Sequence, residues 1–421
     1  MQVGAVVVLD GPVDPTELVA TLATRAATVP RLRQRLRSTP FGAGRPIWVD
    51  DPGFDTRHHV RIRRIAEPCD EAALLELAAD VVWTRLPADR PQWRAVVVDG
   101  LRDDRAAVVI SFHHVLADGI GGLAVLAHLV DDGARTTETT TADTRGSIPP
   151  PRTAPGTTAL VLDAWRERLA TLARLPSAWR RWRDTVRSLR ATPRPRASRS
   201  SLNRPTGAQR VLAVARTDLE PLHRAARAHG ATVNDVILTC VATALSEALH
   251  ERGEQVDHFV MSVPVSARRT AEIAQLGNEV GTALVDVPTA GPFVDRLTTV
   301  AERTRVAKQS AAGESAASLV APLFRLLARV GMFRWFIAHQ RSVNTFVTNL
   351  RGPQERLRLG GHEVLDVVPV ALITGNVAVA FAVLSYAGRL DVTVLADPQA
   401  CPDWRSVHEV LQRELSQLAL E

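Results

Sequence analysis

The chain runs to 421 residues, 46% hydrophobic and 23% charged with a net charge of +6, a composition that excludes a disordered chain and leaves room for two domains, each with its own core. Three scattered cysteines, Cys69, Cys240 and Cys401, form no CxxC pair and no disulfide framework, which points to a reducing, cytoplasmic setting. No charge-free run reaches the length of a membrane span, and the opening MQVGAVVVLDGP has neither the basic region nor the cleavage site of a signal peptide.

In chain order, the apolar run 3–9 reads as a buried strand. Asp14 and Pro15 then open a helix reaching about Thr28, as an N-cap followed by proline at the first helical position. Residues 58–63 read as ordinary strand despite the pair His58-His59, and 70–84 as a helix begun at Asp70. RAVVVDG and RAAVVISFHH are apolar runs joined by a polar turn, the pattern of a hairpin whose second strand delivers His113 and His114. Asp118 and the glycines Gly119, Gly121 and Gly122 follow, and GGLAVLAHLV reads as a helix.

From about 132 to 160 the composition turns to Thr, Pro, Ala and Gly without periodicity, as in a linker. Between 161 and 190, Trp165, Leu169, Leu172, Trp179 and Trp182 recur at helical spacing while arginines crowd the other positions and Pro176 interrupts them. A basic amphipathic helix of this kind either lies on an anionic lipid surface or bridges the two halves of the protein. Arginine carries nearly all of the positive charge, Lys308 being the only lysine, and an arginine-rich coding bias explains that as readily as an anionic partner does. With a single tyrosine, Tyr386, and no zinc-ligand spacing, nucleic acid ranks last among partners.

The second half reads as a strand near 209–215, a helix with a capping box on Thr217 and Glu220 and a stop at Gly230, and a longer helix from ATVNDVILTC onward. Strand-like runs follow at 258–265, 279–287, 343–349, 363–370, 376–385 and 390–395, with a last helix over 402–418. Strands and helices mix in both halves with neither GxGxxG nor a P-loop, so the expected fold is two α/β sandwiches. The resulting division is an N-terminal domain over 1–131, a linker over 132–207 that carries the 161–190 helix, and a C-terminal domain over 208–421.

The stretch SFHHVLADGIGG carries the chemistry. Side chains alternate along a strand, so His113 and His114 are expected to point to opposite faces, one buried and one toward a cavity. Imidazole titrates near neutrality, as a general base for an alcohol or amine requires. Asp118 can fix the turn, and the glycines permit a tight turn and close approach of a substrate. A metal site would need further ligands at a recognised spacing, a serine hydrolase would need GxSxG, and a purely structural histidine pair stays open on the residues alone. Asn234 and Asp235 sit in the first turn of their helix, where capping explains them as well as binding does.

His113-His114-Val115-Leu116-Ala117-Asp118-Gly119 resembles the HHxxxDG signature of CoA-dependent acyltransferases and peptide-synthetase condensation domains. VPRLRQRL, RPIWVDDPGFD, TVNDVIL, SVPVSAR, GNEVG, NTFVTNLRGP, LSYAGRL and VLADP follow the order found in the bacterial wax ester synthase/diacylglycerol acyltransferase family. The resemblance spans nearly the whole chain, except that a short segment usual before the first strand is absent. Gln92 in RPQW replaces a leucine, and Arg351 in NLRGP enters an apolar turn, departures that bear on acceptor size and acyl-chain preference.

What the resemblance implies is a pair of chloramphenicol-acetyltransferase-like sandwich domains (α/β, α+β) with the active site in a channel between them. It implies acyl-CoA as co-substrate, no cofactor and no metal, and a fatty alcohol or diacylglycerol as the hydrophobic acceptor. It makes His114 the general base beside His113 and gives Asp118 and Gly119 the turn. It puts Asn234 and Asp235 beside the channel, Asn349 and Gly352 in its wall, and Arg268 within reach of CoA phosphates. A condensation reaction on a carrier-bound or amine substrate, and a binding module without turnover, are the alternatives.

Overall fold

Local chemistry sets several element boundaries. The Asp14 side chain accepts the Thr16 N–H at 2.8 Å and Asp70 accepts that of Ala73 at 2.9 Å, each closing the first turn of a helix. The capping box expected at Thr217 and Glu220 does not form: that helix starts at Leu219 with no side-chain cap. The box sits one helix later, where Thr232 and Asp235 satisfy one another's backbone N–H groups.

The computed structural model describes residues 2–39, 46–116, 119–131, 154–173, 195–266, 280–313 and 331–420. In its first half, β1 (Gln2–Leu9) leads to α1 (Pro15–Thr28), the paired short strands β2 (Gln34–Arg37) and β3 (Ile47–Asp50), β4 (Val60–Cys69), α2 (Glu71–Trp83), β5 (Trp93–Leu101), β6 (Ala106–His113), α3 (Gly119–Leu129) and α4 (Thr157–Ala173). The second half holds β7 (Val211–Asp218), α5 (Leu219–Ala228), α6 (Val233–Glu251), β8 (His258–Ser266), β9 (Val280–Pro288), α7 (Phe293–Gly313) and α8 (Phe333–Ala338). It continues with β10 (Thr345–Arg351), β11 (Arg358–Leu359), β12 (His362–Val370), β13 (Val379–Tyr386), β14 (Arg389–Ala396) and α9 (Trp404–Leu420).

Two mixed six-stranded sheets result, in the orders β11-β12-β1-β6-β5-β4 and β7-β14-β13-β10-β8-β9. The first sheet thus takes two strands from the second half of the chain, β12 pairing antiparallel with β1. Side-chain alternation divides the cores. Val7, Val97 and Val108 face α1 and α3, whereas Val6, Val98 and Val109 face α2 and the second sheet. On β13, Phe381 and Val383 face α6 and α9, while Ala380 and Ala382 face the first sheet. An ionic tie crosses between the sheets: Arg216 on β7 meets Asp366 on β12 at 2.9 Å and also pairs with Glu71 on α2.

Helix α4 begins inside the stretch read as linker. Its exposed apolar side chains Leu162, Trp165 and Leu169 follow at spacings of three and four residues, and Ala164 is buried. Residues 174–190 of the expected 161–190 helix, with Pro176, Trp179 and Trp182, lie outside the described residues.

Candidate active site

Strand β6 is apolar on both faces and lies between β1 and β5, so every residue from Ala106 to Phe112 is buried. It ends at His113, whose N–H donates to the Gln92 carbonyl at 2.9 Å. The His113 carbonyl accepts the Leu116 N–H at 2.8 Å, closing a turn over 113–116. His114 is the second residue of that turn, so the strand alternation expected to separate the two imidazoles extends only to His113.

The His113 ring belongs to the turn as well. Its Nδ1 accepts the Val115 N–H at 3.1 Å, which leaves Nε2 as the protonated nitrogen of a neutral ring. Burial is the main cause that pushes this imidazole down to about 4. His114 is half-buried, and Val115 after it is exposed.

The glycines lie beyond the turn over 113–116. Helix α3 already starts at Gly119, so Gly121 and Gly122 lie in its first turn. Gly122 is needed for space: a Cβ there would stand 2.7 Å from the Phe112 ring. Asp118 and Arg268 lie outside the described residues.

From the second half come Asn234 and Asp235, in the first turn of α6. Asp235 is buried, and its Oδ2 accepts the Thr232 N–H at 2.8 Å and hydroxyl at 2.7 Å. The Asn234 Oδ1 accepts a hydrogen bond from Asn349 Nδ2 on β10 at 3.4 Å. Asn234 Nδ2 and Asp235 Oδ1 are buried without a hydrogen-bond partner. Gly352 follows β10, with its N–H on the Ser385 carbonyl at 2.8 Å and room for no Cβ, which would lie 2.6 Å from that oxygen.

Next to Asn349, Leu350 packs with Leu384 against the cluster that contains Phe112 and Leu116, the residues flanking the histidine turn. Helix α3 also contacts β10. The structure therefore brings the end of β10 toward the end of β6. Thr232 and Phe112 are the residues sequence reasoning passed over. For Thr232 the signal was present, since its T-x-x-D has the spacing of the T-x-x-E sought at Thr217 instead.

The other pair departs from the strand expected over 58–63. His58 ends a 3-10 turn and β4 starts only at Val60. His59 is buried, stacks on Trp93 with ring centroids 4.7 Å apart, and has Nδ1 2.9 Å from the Trp93 carbonyl.

Two mixed sheets packed against each other, with the histidine turn at the end of a central strand and the second sheet reaching toward it, form the architecture of a two-domain acyltransferase of the chloramphenicol-acetyltransferase type. Comparison with known proteins agrees. Residues 1–237 match the wax ester synthase/diacylglycerol acyltransferase catalytic domain, and residues 276–419 match the C-terminal domain of the same family. A probable diacylglycerol O-acyltransferase of Mycobacterium tuberculosis is 32% identical over 418 residues, covering 96% of this chain and 88% of that one.

Among solved structures, the wax ester synthase/diacylglycerol acyltransferase from Marinobacter aquaeolei VT8 has a TM-score of 0.68 at 22% identity, over 100% of this chain and 94% of that one. The first condensation domain of the calcium-dependent antibiotic synthetase shares the fold, with a TM-score of 0.63 at 18% identity over 100% and 92% of the two chains. The chain belongs to the wax ester synthase/diacylglycerol acyltransferase family, and it is an acyltransferase.

Proposed function

We propose that the protein transfers a long-chain acyl group from acyl-CoA to the hydroxyl of a fatty alcohol or diacylglycerol, with His114 as the general base. The observation that carries this assignment is the turn itself. His113 spends its Nδ1 lone pair on the Val115 N–H and is held neutral, so it supports the turn that presents His114. His114 takes the acceptor's hydroxyl proton while the oxygen attacks the thioester carbonyl. The oxyanion is met by a donor, for which the unpaired Asn234 Nδ2 is the candidate. Collapse breaks the C–S bond, and the proton held on His114 passes to the departing CoA thiolate. The step needs no acyl-enzyme, cofactor or metal. Asp118 is assigned to holding the loop, and Arg268 to the CoA phosphates.

Water-insoluble acceptors call for a lipid surface, and α4 supports such contact. Leu162, Trp165 and Leu169 are 60%, 55% and 60% exposed, beside Arg166 and Arg168, which favours the lipid surface over a packed bridge between halves for this stripe. The Arg168 guanidinium stacks over the Trp165 ring at 5.5 Å. The working location is then the cytoplasmic face of an anionic membrane or a lipid droplet. Co-sedimentation with anionic vesicles tests this contact, and Trp165→Ser with Leu169→Ser should weaken it.

Labelled palmitoyl-CoA offered with hexadecanol, dioleoylglycerol or an amine tests the reaction. Ester together with one released CoA per ester is the expected result. Amide without ester would support the condensation alternative, and no product with any acceptor would support a binding module.

A further inference from the structure

We infer that Asn349 is a positioning residue that sets which end of the Asn234 amide faces the reacting groups. The inference rests on the proposed acyl transfer and deepens it. Along β10, Val347 points into the core formed with α6, whereas Phe346 and Leu350 point toward the first sheet. By alternation Asn349 lies on the α6 face, and its Nδ2 donates to Asn234 Oδ1 at 3.4 Å. Only the Asn234 NH2 group remains to face elsewhere, and it is buried with no acceptor.

A buried, empty donor is uncommon and calls for an explanation. Asp235 cannot supply the acceptor through Oδ2, which is committed to Thr232. That same capping box holds the backbone of the first turn. The neighbouring Leu350 packs against the cluster that holds Phe112 and Leu116, so the amide pair stands where β10 approaches the histidine turn.

The two ends of a carboxamide are nearly the same shape and opposite in chemistry. Turned one way, Asn234 offers N–H to a developing oxyanion. Turned the other way, it offers a carbonyl oxygen that repels it. Asn349 acts on this choice by donating: a donor at position 349 captures the Asn234 oxygen and leaves the N–H groups for the substrate.

Asn349→Asp is close to isosteric but replaces the donor by an acceptor, so it should draw the Asn234 NH2 toward itself and reverse the amide. The expected result is a fall in kcat of about 10²–10³, the usual cost of losing an oxyanion donor. The KM for acyl-CoA and the unfolding midpoint should stay near those of the wild type. Lowering the pH protonates the introduced carboxyl, restores a donor, and should recover activity relative to the wild type at the same pH. In an Asn234→Ala background, Asn349→Asp should cost nothing further, because the residue acts through Asn234.

Wild-type kcat in Asn349→Asp would overturn the inference. So would a loss without recovery at low pH, or a further loss in the Asn234→Ala background. An inert wild type removes the acyl-transfer reading beneath it, whereas an active wild type beside a fully active Asn349→Asp removes this inference alone.

Discussion

His58-His59 and His113-His114 are the same dipeptide at the same end of one sheet, with Gln92 and Trp93 between them. Trp93 pairs with Phe112 across β5 and β6, and the carbonyls of Gln92 and Trp93 serve the two pairs in turn. His59 donates from Nδ1 to the Trp93 carbonyl and buries its ring on the indole. His113 does the reverse with its own ring, accepting at Nδ1 from the Val115 N–H. Burial lowers both pKa values, so neither ring is charged at neutral pH. The difference lies in the backbone. The first pair leads into a strand and its His59 is absorbed by the core, whereas the second leaves a strand through a turn that carries His114 out of the core. An imidazole becomes available for chemistry by where the chain turns, and its residue type alone does not decide it.

The largest effect that sharpens this contrast is on rate. His114→Ala should lower kcat by about 10²–10⁴, the usual worth of a positioned general base, measured as thiol release at saturating acyl-CoA and alcohol. His59→Ala should leave activity per folded molecule unchanged and cost about 2–4 kcal/mol of stability, from the vacated ring and the orphaned Trp93 carbonyl, measured by urea unfolding.

A smaller effect separates the two pairs by pH. His113 stands at about 4 when folded and at the ordinary imidazole value of 6.5 when unfolded. Between those values the unfolded chain holds a proton that the folded chain does not, so stability falls as the pH drops through this window. Asp391, pushed up to about 8 by burial and by Asp366, gives a slope of the opposite sign. The difference between wild type and His113→Gln isolates the histidine, and the variant should lose that part of the acid slope. The smallest effect belongs to exposed His58: alanine there should change stability by no more than about 0.5 kcal/mol and leave kcat alone.

What the sequence made legible were local signals and ordered motifs. Asp14, Pro15 and Asp70 mark their helices because capping is chemistry among neighbours in sequence. The apolar runs of β5 and β6 mark a hairpin for the same reason. What escaped reading depends on partners distant in sequence. His59 needs Trp93 to be recognised as core, Gly122 needs the Phe112 ring to explain it, and β12 joins the first sheet from the far half of the chain. The Asn234–Asn349 contact is of the same kind, since the family motifs give both residues but not the sense of the hydrogen bond between them.

The most direct test compares the two imidazoles of one pair. Ester formed from labelled acyl-CoA and alcohol is measured per folded molecule for His113→Gln and His114→Gln, with unfolding curves for both. The account predicts that His114→Gln loses at least about 10²-fold in rate with its unfolding midpoint kept, while His113→Gln keeps far more of the rate. Near-normal ester formation by His114→Gln, beside a well-folded but inactive His113→Gln, would contradict it.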